Sequence, residues 1–266
     1  MKRRNSLFAI FGDPVSHSIS PLMHNYAFSG LGFPGCYTRY RLTEGSQLRR
    51  KFLDLALSGV NVTVPHKEAA YLACDEVRGI AREIEAVNTI VREEGKLIGY
   101  NTDAPGFLKS ALAFGEIRSV AILGAGGTAK ALAAIFRREG IETAILNRSS
   151  GRLEHFIARG YSACDWERWE PKAYDLVVNT TSAGLQEQTL PAPREILEPL
   201  LRDARYAIDV IYNRQTPFLQ LAGELGKPAK DGSEMLLYQG VIAFEHFTAH
   251  RYSEEEITRW MRRAFA

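Results

Sequence analysis

Cysteine is scarce in this chain. Three occur in 266 residues, Cys36, Cys74 and Cys164, scattered and odd in number. That excludes a disulfide scaffold and predicts reduced thiols in a cytoplasmic protein. The cysteines and the six histidines form no zinc-type set, so no metal site is expected. Charge of one sign is also lacking. Basic side chains number 33 against 31 acidic ones, with no basic block, which argues against nucleic acid as the main partner. No apolar run reaches the roughly 20 residues that span a bilayer, so no membrane partner is expected. Phe8-Ala-Ile-Phe11 is too short for a signal-peptide core, and no suitable cleavage site follows it. Repeats and low-complexity segments are absent. The length allows one large domain or two modest ones, each with its own core.

What is present is organised around Val120-Ala-Ile-Leu-Gly-Ala-Gly-Gly-Thr-Ala-Lys130. Four apolar residues run into a glycine turn, and the turn runs into a helical pattern. Gly124 suits the tight turn. Gly126 and Gly127 lack side chains that would keep a pyrophosphate from the backbone, and Ala129 takes the third small position. Free N–H groups and the positive end of the helix dipole would face that pyrophosphate. The next strand, Thr143-Ala-Ile-Leu-Asn-Arg-Ser149, ends about 20 residues beyond the glycines, where an NAD-binding unit places an acidic residue. Here stand Asn147, Arg148 and Ser149, with Arg152 one helical turn on. Two guanidiniums and a hydroxyl suit a dianionic 2′-phosphate, so the cofactor is expected to be NADP(H) rather than NAD.

Strands alternating with helices predict a parallel α/β arrangement, in which polar residues at carboxyl ends of strands line the ligand crevice. Leu7 to Phe11 reads as a strand. Ser18 and Ser20 follow, just before Pro21, where Ser20 suits a helix cap and the hydroxyls also suit a polyol. Gly59-Val-Asn-Val-Thr-Val-Pro65 places Thr63 at a strand end and Lys67 just beyond it. Asn88 to Asn101 reads as two strands around a Glu-Gly turn. Asn101-Thr-Asp103 opens a helix, with Asp103 suited to its N-cap, and the first domain boundary is placed near 102. Tyr174 to Asn179 reads as a strand ending in small polar residues, Thr180 among them. Gly226 to Gly232 reads as a linker. In the apolar helix from Met235 to Phe247, Gln239 lies on the core stripe and needs either a backbone partner or a ligand. Three Asn-x-Ser/Thr triplets begin at Asn61, Asn147 and Asn179. With no secretory signal read, they call for an explanation other than glycosylation.

Taken together, these blocks resemble the shikimate dehydrogenase family. The matching stretches are Ser16-His-Ser-Ile-Ser-Pro21, Asn61-Val-Thr-Val-Pro-His-Lys67, Ala86-Val-Asn-Thr89, Asn101-Thr-Asp103, Gly124-Ala-Gly-Gly127, Asn147-Arg-Ser149 with Arg152, Asn179-Thr-Thr-Ser182, Thr216-Pro-Phe218, and Gly232-Ser-Glu-Met-Leu236 with Gln239. They fall in the family's order across nearly the whole chain. The resemblance implies two α/β domains. Residues 1–102 with 236–266 would form the substrate domain, an α/β unit completed by the C-terminal helices. Residues 103–235 would form a Rossmann-type NADP domain, with the active site in the cleft.

Carried over residue by residue, Ser18, Ser20, Thr63, Asn88 and Gln239 would hold shikimate, and Tyr212 would close the substrate side. Lys67 and Asp103 would be the catalytic pair. Gly124, Ala125, Gly126, Gly127, Thr128 and Ala129 would cradle the dinucleotide. Asn147, Arg148, Ser149 and Arg152 would take its 2′-phosphate end, and Thr180 and Gly232 would complete the site. The implied reaction is reversible reduction of 3-dehydroshikimate by NADPH in aromatic amino-acid biosynthesis, by a monomer or homodimer, without a metal. A quinate/shikimate dehydrogenase of broader specificity is the nearest alternative. A silent nucleotide-binding sensor is another, but it should lack Lys67 or Asp103. A folate-type methylene dehydrogenase would not need the serines. Two departures from the family pattern stand out: Ala104-Pro105 after Asp103, and Ser233-Glu234 before Met235.

Overall fold

Each short apolar run becomes a strand, and the burial along it sets its place in a sheet. The computed structural model describes residues 5–266. The chain divides into two units, one running to Gly106 and resumed by Leu236–Ala266, the other Phe107–Met235. The first division thus falls at Gly106, a few residues beyond the boundary placed from the sequence.

The first unit holds a six-stranded sheet in the order β2-β1-β3-β5-β6-β4. Its strands are β1 (Ser6–Gly12), β2 (Gly35–Arg41), β3 (Gly59–Val62), β4 (Glu76–Val77), β5 (Thr89–Glu93) and β6 (Lys96–Tyr100). β1 pairs in parallel with β2 and β3, but β5 runs antiparallel to both β3 and β6. The sheet is therefore mixed, where the alternation of elements pointed to a parallel one. The reason is local. Glu94 and Gly95 both have positive φ (49° and 85°), the conformation of a two-residue hairpin turn, which forces reversal. Along β1, Phe8 and Ile10 enter one core while Ala9 and Phe11 enter another, the period of two expected for a strand covered on both faces. The first core is closed by the helices Ser20–Gly30, Ser233–Phe247 and Glu254–Met261. Phe8 lies 5.1 Å from Phe28 and 4.8 Å from Phe247, ring centre to ring centre.

The second unit holds another six-stranded sheet, in the order β12-β11-β10-β7-β8-β9. Its strands are β7 (Ser119–Leu123), β8 (Glu142–Asn147), β9 (Ser162–Asp165), β10 (Leu176–Asn179), β11 (Tyr206–Asp209) and β12 (Ala229–Lys230). All of these pairings are parallel. β12 lies inside the stretch read from sequence as a linker. Val120 and Ile122 face one core, Ala121 and Leu123 the other. Among the described residues, no helix is long and apolar enough to cross a membrane.

His24 sits in the first core, fully buried and stacked on Tyr37 at 4.3 Å with 4° between the rings. Neither ring nitrogen has a hydrogen-bond partner. Burial alone lowers its pKa from 6.5 to about 3. In the unfolded chain the ring protonates near its ordinary value; in the fold it does not until about pH 3. The stability it permits is therefore complete above about pH 6.5 and is lost as pH falls toward 3. His24→Phe should make the acid limb of a stability-against-pH curve shallower by one proton, about 1.4 kcal/mol per pH unit. Urea midpoints measured across this range check it; an unchanged slope would mean that His24 titrates normally in the folded protein.

Candidate active site

The first unit gathers its polar residues at one edge of the sheet, and strand direction explains how. β1 is flanked by β2 on one side and β3 on the other, so the chain order reverses there, and the crevice beyond such a reversal is a natural ligand site. Ser18 and Ser20 follow β1; Thr63 and Lys67 follow β3. Because β5 is reversed, Asn88 at its start lies at that same edge, as does Asn101-Thr102-Asp103 after β6. An added Cβ on Gly12 would lie 2.3 Å from the Thr63 methyl, so only glycine lets the two strand ends approach this closely.

Within this edge the Lys67 ammonium lies 2.7 Å from the Asp103 carboxylate. The pair is half-sheltered, with side chains 30% and 16% exposed, open to a small molecule yet partly shielded from water. Asp103 is not a helix cap. Asn101 fills that role by accepting the Ala104 N–H at 3.1 Å, which leaves the Asp103 carboxylate for Lys67. Ala104 is buried, and Pro105 sits in the first turn of an unbroken helix, Asp103–Leu112, so this departure leaves the helix intact. Ser20 is likewise not a cap; it is the first residue of its helix, and no side chain caps that end. The Ser18 hydroxyl instead accepts the Ser20 N–H at 3.3 Å and lies 3.2 Å from the Ser20 hydroxyl. Arg39 holds this turn through two bonds to the Ser18 carbonyl, at 2.9 and 2.6 Å. Gln239 donates to the Leu236 carbonyl at 2.8 Å, which supplies the backbone partner its burial requires.

The second unit carries a different site. β7 and β10 are neighbours from which the chain proceeds in opposite directions, and an open groove of about 1280 Å³ is lined by the residues at their carboxyl ends. Gly124, Ala125, Gly126, Asn147, Arg148, Arg152 and Thr180 all line it. Gly124 is required by the chain itself: its φ is +106°, and an added Cβ would lie 2.8 Å from the Thr180 hydroxyl oxygen. Gly126 and Gly127 are not, because an added Cβ on either would meet nothing within 4 Å. Their bareness suits something outside the protein. The helix Gly127–Arg138 has no side-chain cap and no acid in its first turn, so its N–H groups can meet an anion. Thr128 stands in this first turn, and Ala129 is fully buried beneath it. Asn147 donates to the Ser149 carbonyl at 2.9 Å and shapes the loop that carries Arg148. These residues fit a dinucleotide with a 2′-phosphate. Tyr212 is half-buried, and burial raises its pKa, which keeps the phenol neutral. Gly232 has a packing reason of its own: an added Cβ would lie 2.2 Å from the Val210 carbonyl oxygen.

Several participants escape a reading of the sequence. Asn61 accepts from Tyr37 and donates to Thr89, and Thr102 bonds Asn88 through both backbone and side chain. Their identity as Asn and Thr in strands is a signal, but their partners depend on strand register. Trp166 and residues 185–193 line the same groove as Arg148 and Arg152. Asn179 donates to the buried Asp209, which also accepts from Thr216 and from the Ile211 N–H. Burial raises the Asp209 pKa, opposed by these donors. Glu234 gains an explanation as well: it pairs with Lys230 at 2.8 Å, while Ser233 bonds Asp231. Among the described residues, no group of three or more His, Cys, Asp or Glu side chains is placed to hold a metal ion.

Residues 10–90 match the family described as the shikimate dehydrogenase substrate binding domain. The chain is similar to the shikimate dehydrogenase (NADP(+)) of Helicobacter hepaticus, with 43% identity over 93% of this chain and 92% of the relative. It is 44% identical to the enzyme of that name from Helicobacter pylori, over 97% of this chain and 98% of that one. Among solved structures, the shikimate 5-dehydrogenase of Thermus thermophilus in complex with NADP(H) and shikimate matches with a TM-score of 0.85. That likeness has 35% identity and covers 97% of this chain and 99% of the other.

The two kinds of glycine should separate by experiment. Gly232→Ala, which collides with a carbonyl, should lower stability by about 1–3 kcal/mol. Gly126→Val should cost no more than about 1 kcal/mol, the scale of a changed helix cap, while abolishing dinucleotide binding. Thermal unfolding and isothermal titration with NADP check both. Tight binding by Gly126→Val would remove the turn from the site.

Proposed function

The chain belongs to the shikimate dehydrogenase family, and from that premise we propose that it catalyses the reversible NADPH-dependent reduction of 3-dehydroshikimate to shikimate. The observation that carries the catalytic assignment is the Lys67–Asp103 pair, a cation and a carboxylate in contact at the polar edge of the first sheet. Ser18, Ser20, Thr63, Asn88 and Gln239 bind the hydroxyls and carboxylate of the substrate and orient its C3 carbonyl. Tyr212 serves the substrate side as a neutral hydroxyl.

Bound NADPH supplies the hydride. Negative charge then develops on the substrate oxygen, and the Lys67 ammonium stabilises it and delivers the proton. Asp103 holds the ammonium in place through its 2.7 Å contact. In the oxidative direction Lys67 takes the hydroxyl proton back. The glycine turn and the helix Gly127–Arg138 hold the pyrophosphate, and Arg148 with Arg152 takes the 2′-phosphate by charge-assisted hydrogen bonds. Three scattered cysteines, none of them in a disulfide, support a cytoplasmic setting.

Nicotinamide reduction followed by absorbance, with shikimate or quinate crossed against NADP or NAD, tests the assignment. Strong turnover is expected only with shikimate and NADP; comparable turnover with quinate and NAD would refute it. Lys67→Ala should lose about 10²–10⁴-fold in kcat while still binding NADP, and full activity would sink its role. Replacing Arg148 and Arg152 together by Ala should raise KM for NADP by at least about tenfold and leave KM for NAD nearly unchanged. Equal shifts for both cofactors would overturn the 2′-phosphate assignment.

A further inference from the structure

The Asn88 side chain can make one more hydrogen bond than the fold uses. Its Oδ1 accepts the Thr102 backbone N–H at 2.8 Å, and a backbone N–H can only donate. That contact fixes which end of the amide is oxygen. Oδ1 also lies 3.1 Å from the Thr89 hydroxyl and 3.2 Å from the Thr102 hydroxyl. Nδ2 donates to Thr102 Oγ1 at 3.0 Å. A primary amide carries two N–H groups, so one N–H is left for a ligand.

The hydrogen bonds leading to Asn88 run in one direction. The Tyr37 hydroxyl donates to Asn61 Oδ1 at 2.7 Å. Asn61 Nδ2 donates to the Asn88 carbonyl at 3.3 Å, which can only accept, so this amide is fixed too. Nδ2 also donates to Thr89 Oγ1 at 2.9 Å. With its oxygen thus occupied, Thr89 turns its own proton toward Asn88 Oδ1 or Thr102 Oγ1, at 3.1 and 3.2 Å. All five residues are buried, so bulk water does not substitute for a missing member. Tyr37 is itself immobilised. Asn25 bonds both its N–H and its carbonyl at 2.9 Å, and the neutral His24 ring lies flat against its phenol.

We infer that Tyr37 is a positioning residue for the substrate site: its hydroxyl begins a one-way chain through Asn61 and Thr89 that, together with the Thr102 N–H, holds Asn88 in place with an N–H, not a carbonyl, toward the substrate. The group received there is then an acceptor, a hydroxyl or ketone oxygen. A protonated amine at that place would set donor against donor and be rejected. The inference rests on the reading in which Asn88 touches substrate and gives that contact its polarity.

Tyr37→Phe removes only the first hydroxyl. KM for shikimate should rise roughly three- to tenfold, the scale of one buried hydrogen bond, with KM for NADP unchanged. Thr89→Val, which breaks the chain further on, should do the same, and Thr89→Ser should restore the wild-type value. In an Asn88→Ala background, Tyr37→Phe should have no further effect. An equal rise in both backgrounds, or no rise in either Tyr37→Phe or Thr89→Val, overturns the inference. If Asn88→Ala alone leaves KM for shikimate unchanged, the Asn88 contact itself is refuted, and the inference falls with it. Where Tyr37→Phe proves unstable, the Thr89→Val and Thr89→Ser pair decides the question, because serine keeps the hydroxyl that a purely packing role would not need.

Discussion

The bond from the Thr102 N–H to the Asn88 side chain ties the end of β6 to the start of β5, and the polar edge of the first unit depends on it. Asp103 is the next residue, so the carboxylate that meets Lys67 is placed by a neighbour locked into the buried network. Asn101 adds a second anchor, donating to the Ala86 carbonyl and accepting the Ala104 N–H. The reversal of β5 makes this possible. Were β5 parallel to β3, Asn88 would begin its strand at the opposite edge of the sheet, away from Thr63 and Lys67.

The two units solve different recognition problems with one topological device. In each, neighbouring strands lead the chain away in opposite directions, and the strand ends there carry the polar groups. In the first unit the groups are side chains locked by one another: hydroxyls, amides and one ion pair. In the second they are mostly backbone N–H groups left open by glycine, with arginines on an exposed loop. Hydroxyl-rich ligands are recognised by donor and acceptor polarity, which calls for side chains held rigidly by one another. A phosphate asks only for positive potential and space, which a bare turn and an exposed guanidinium supply.

The parts legible in the sequence were those whose chemistry is local. Gly124, Gly126 and Gly127 sit within one turn, and Arg148 and Arg152 within one loop, so spacing alone marked them. Lys67 and Asp103 were found through their setting in separate blocks, but their contact spans 36 positions and emerges only when β3 and β6 are aligned. Tyr37 was invisible as more than a core aromatic, because its partner Asn61 is defined by the parallel pairing of β1 with both β2 and β3. Short edge strands were also missed. Ala229–Lys230 and Glu76–Val77 have two residues each, too few to display a period. Ser20 and Asp103 each allow two readings, cap or ligand group, because a side chain that suits a cap also suits a ligand; in the fold neither caps its helix, and Asn101 holds the Asp103 helix end.

The discontinuity of the first unit bears on how the protein is made. Residues Leu236–Ala266 supply Phe244, Phe247, Ile257 and Met261 to the same core as Phe8 and Phe28. Phe107–Met235, by contrast, is contiguous and can complete its fold before Leu236–Ala266 is free to join the first core. The nascent chain therefore carries an unsealed apolar face on its N-terminal sheet until Leu236–Ala266 has been made. Until then that face is open to the self-association that exposed apolar surface invites.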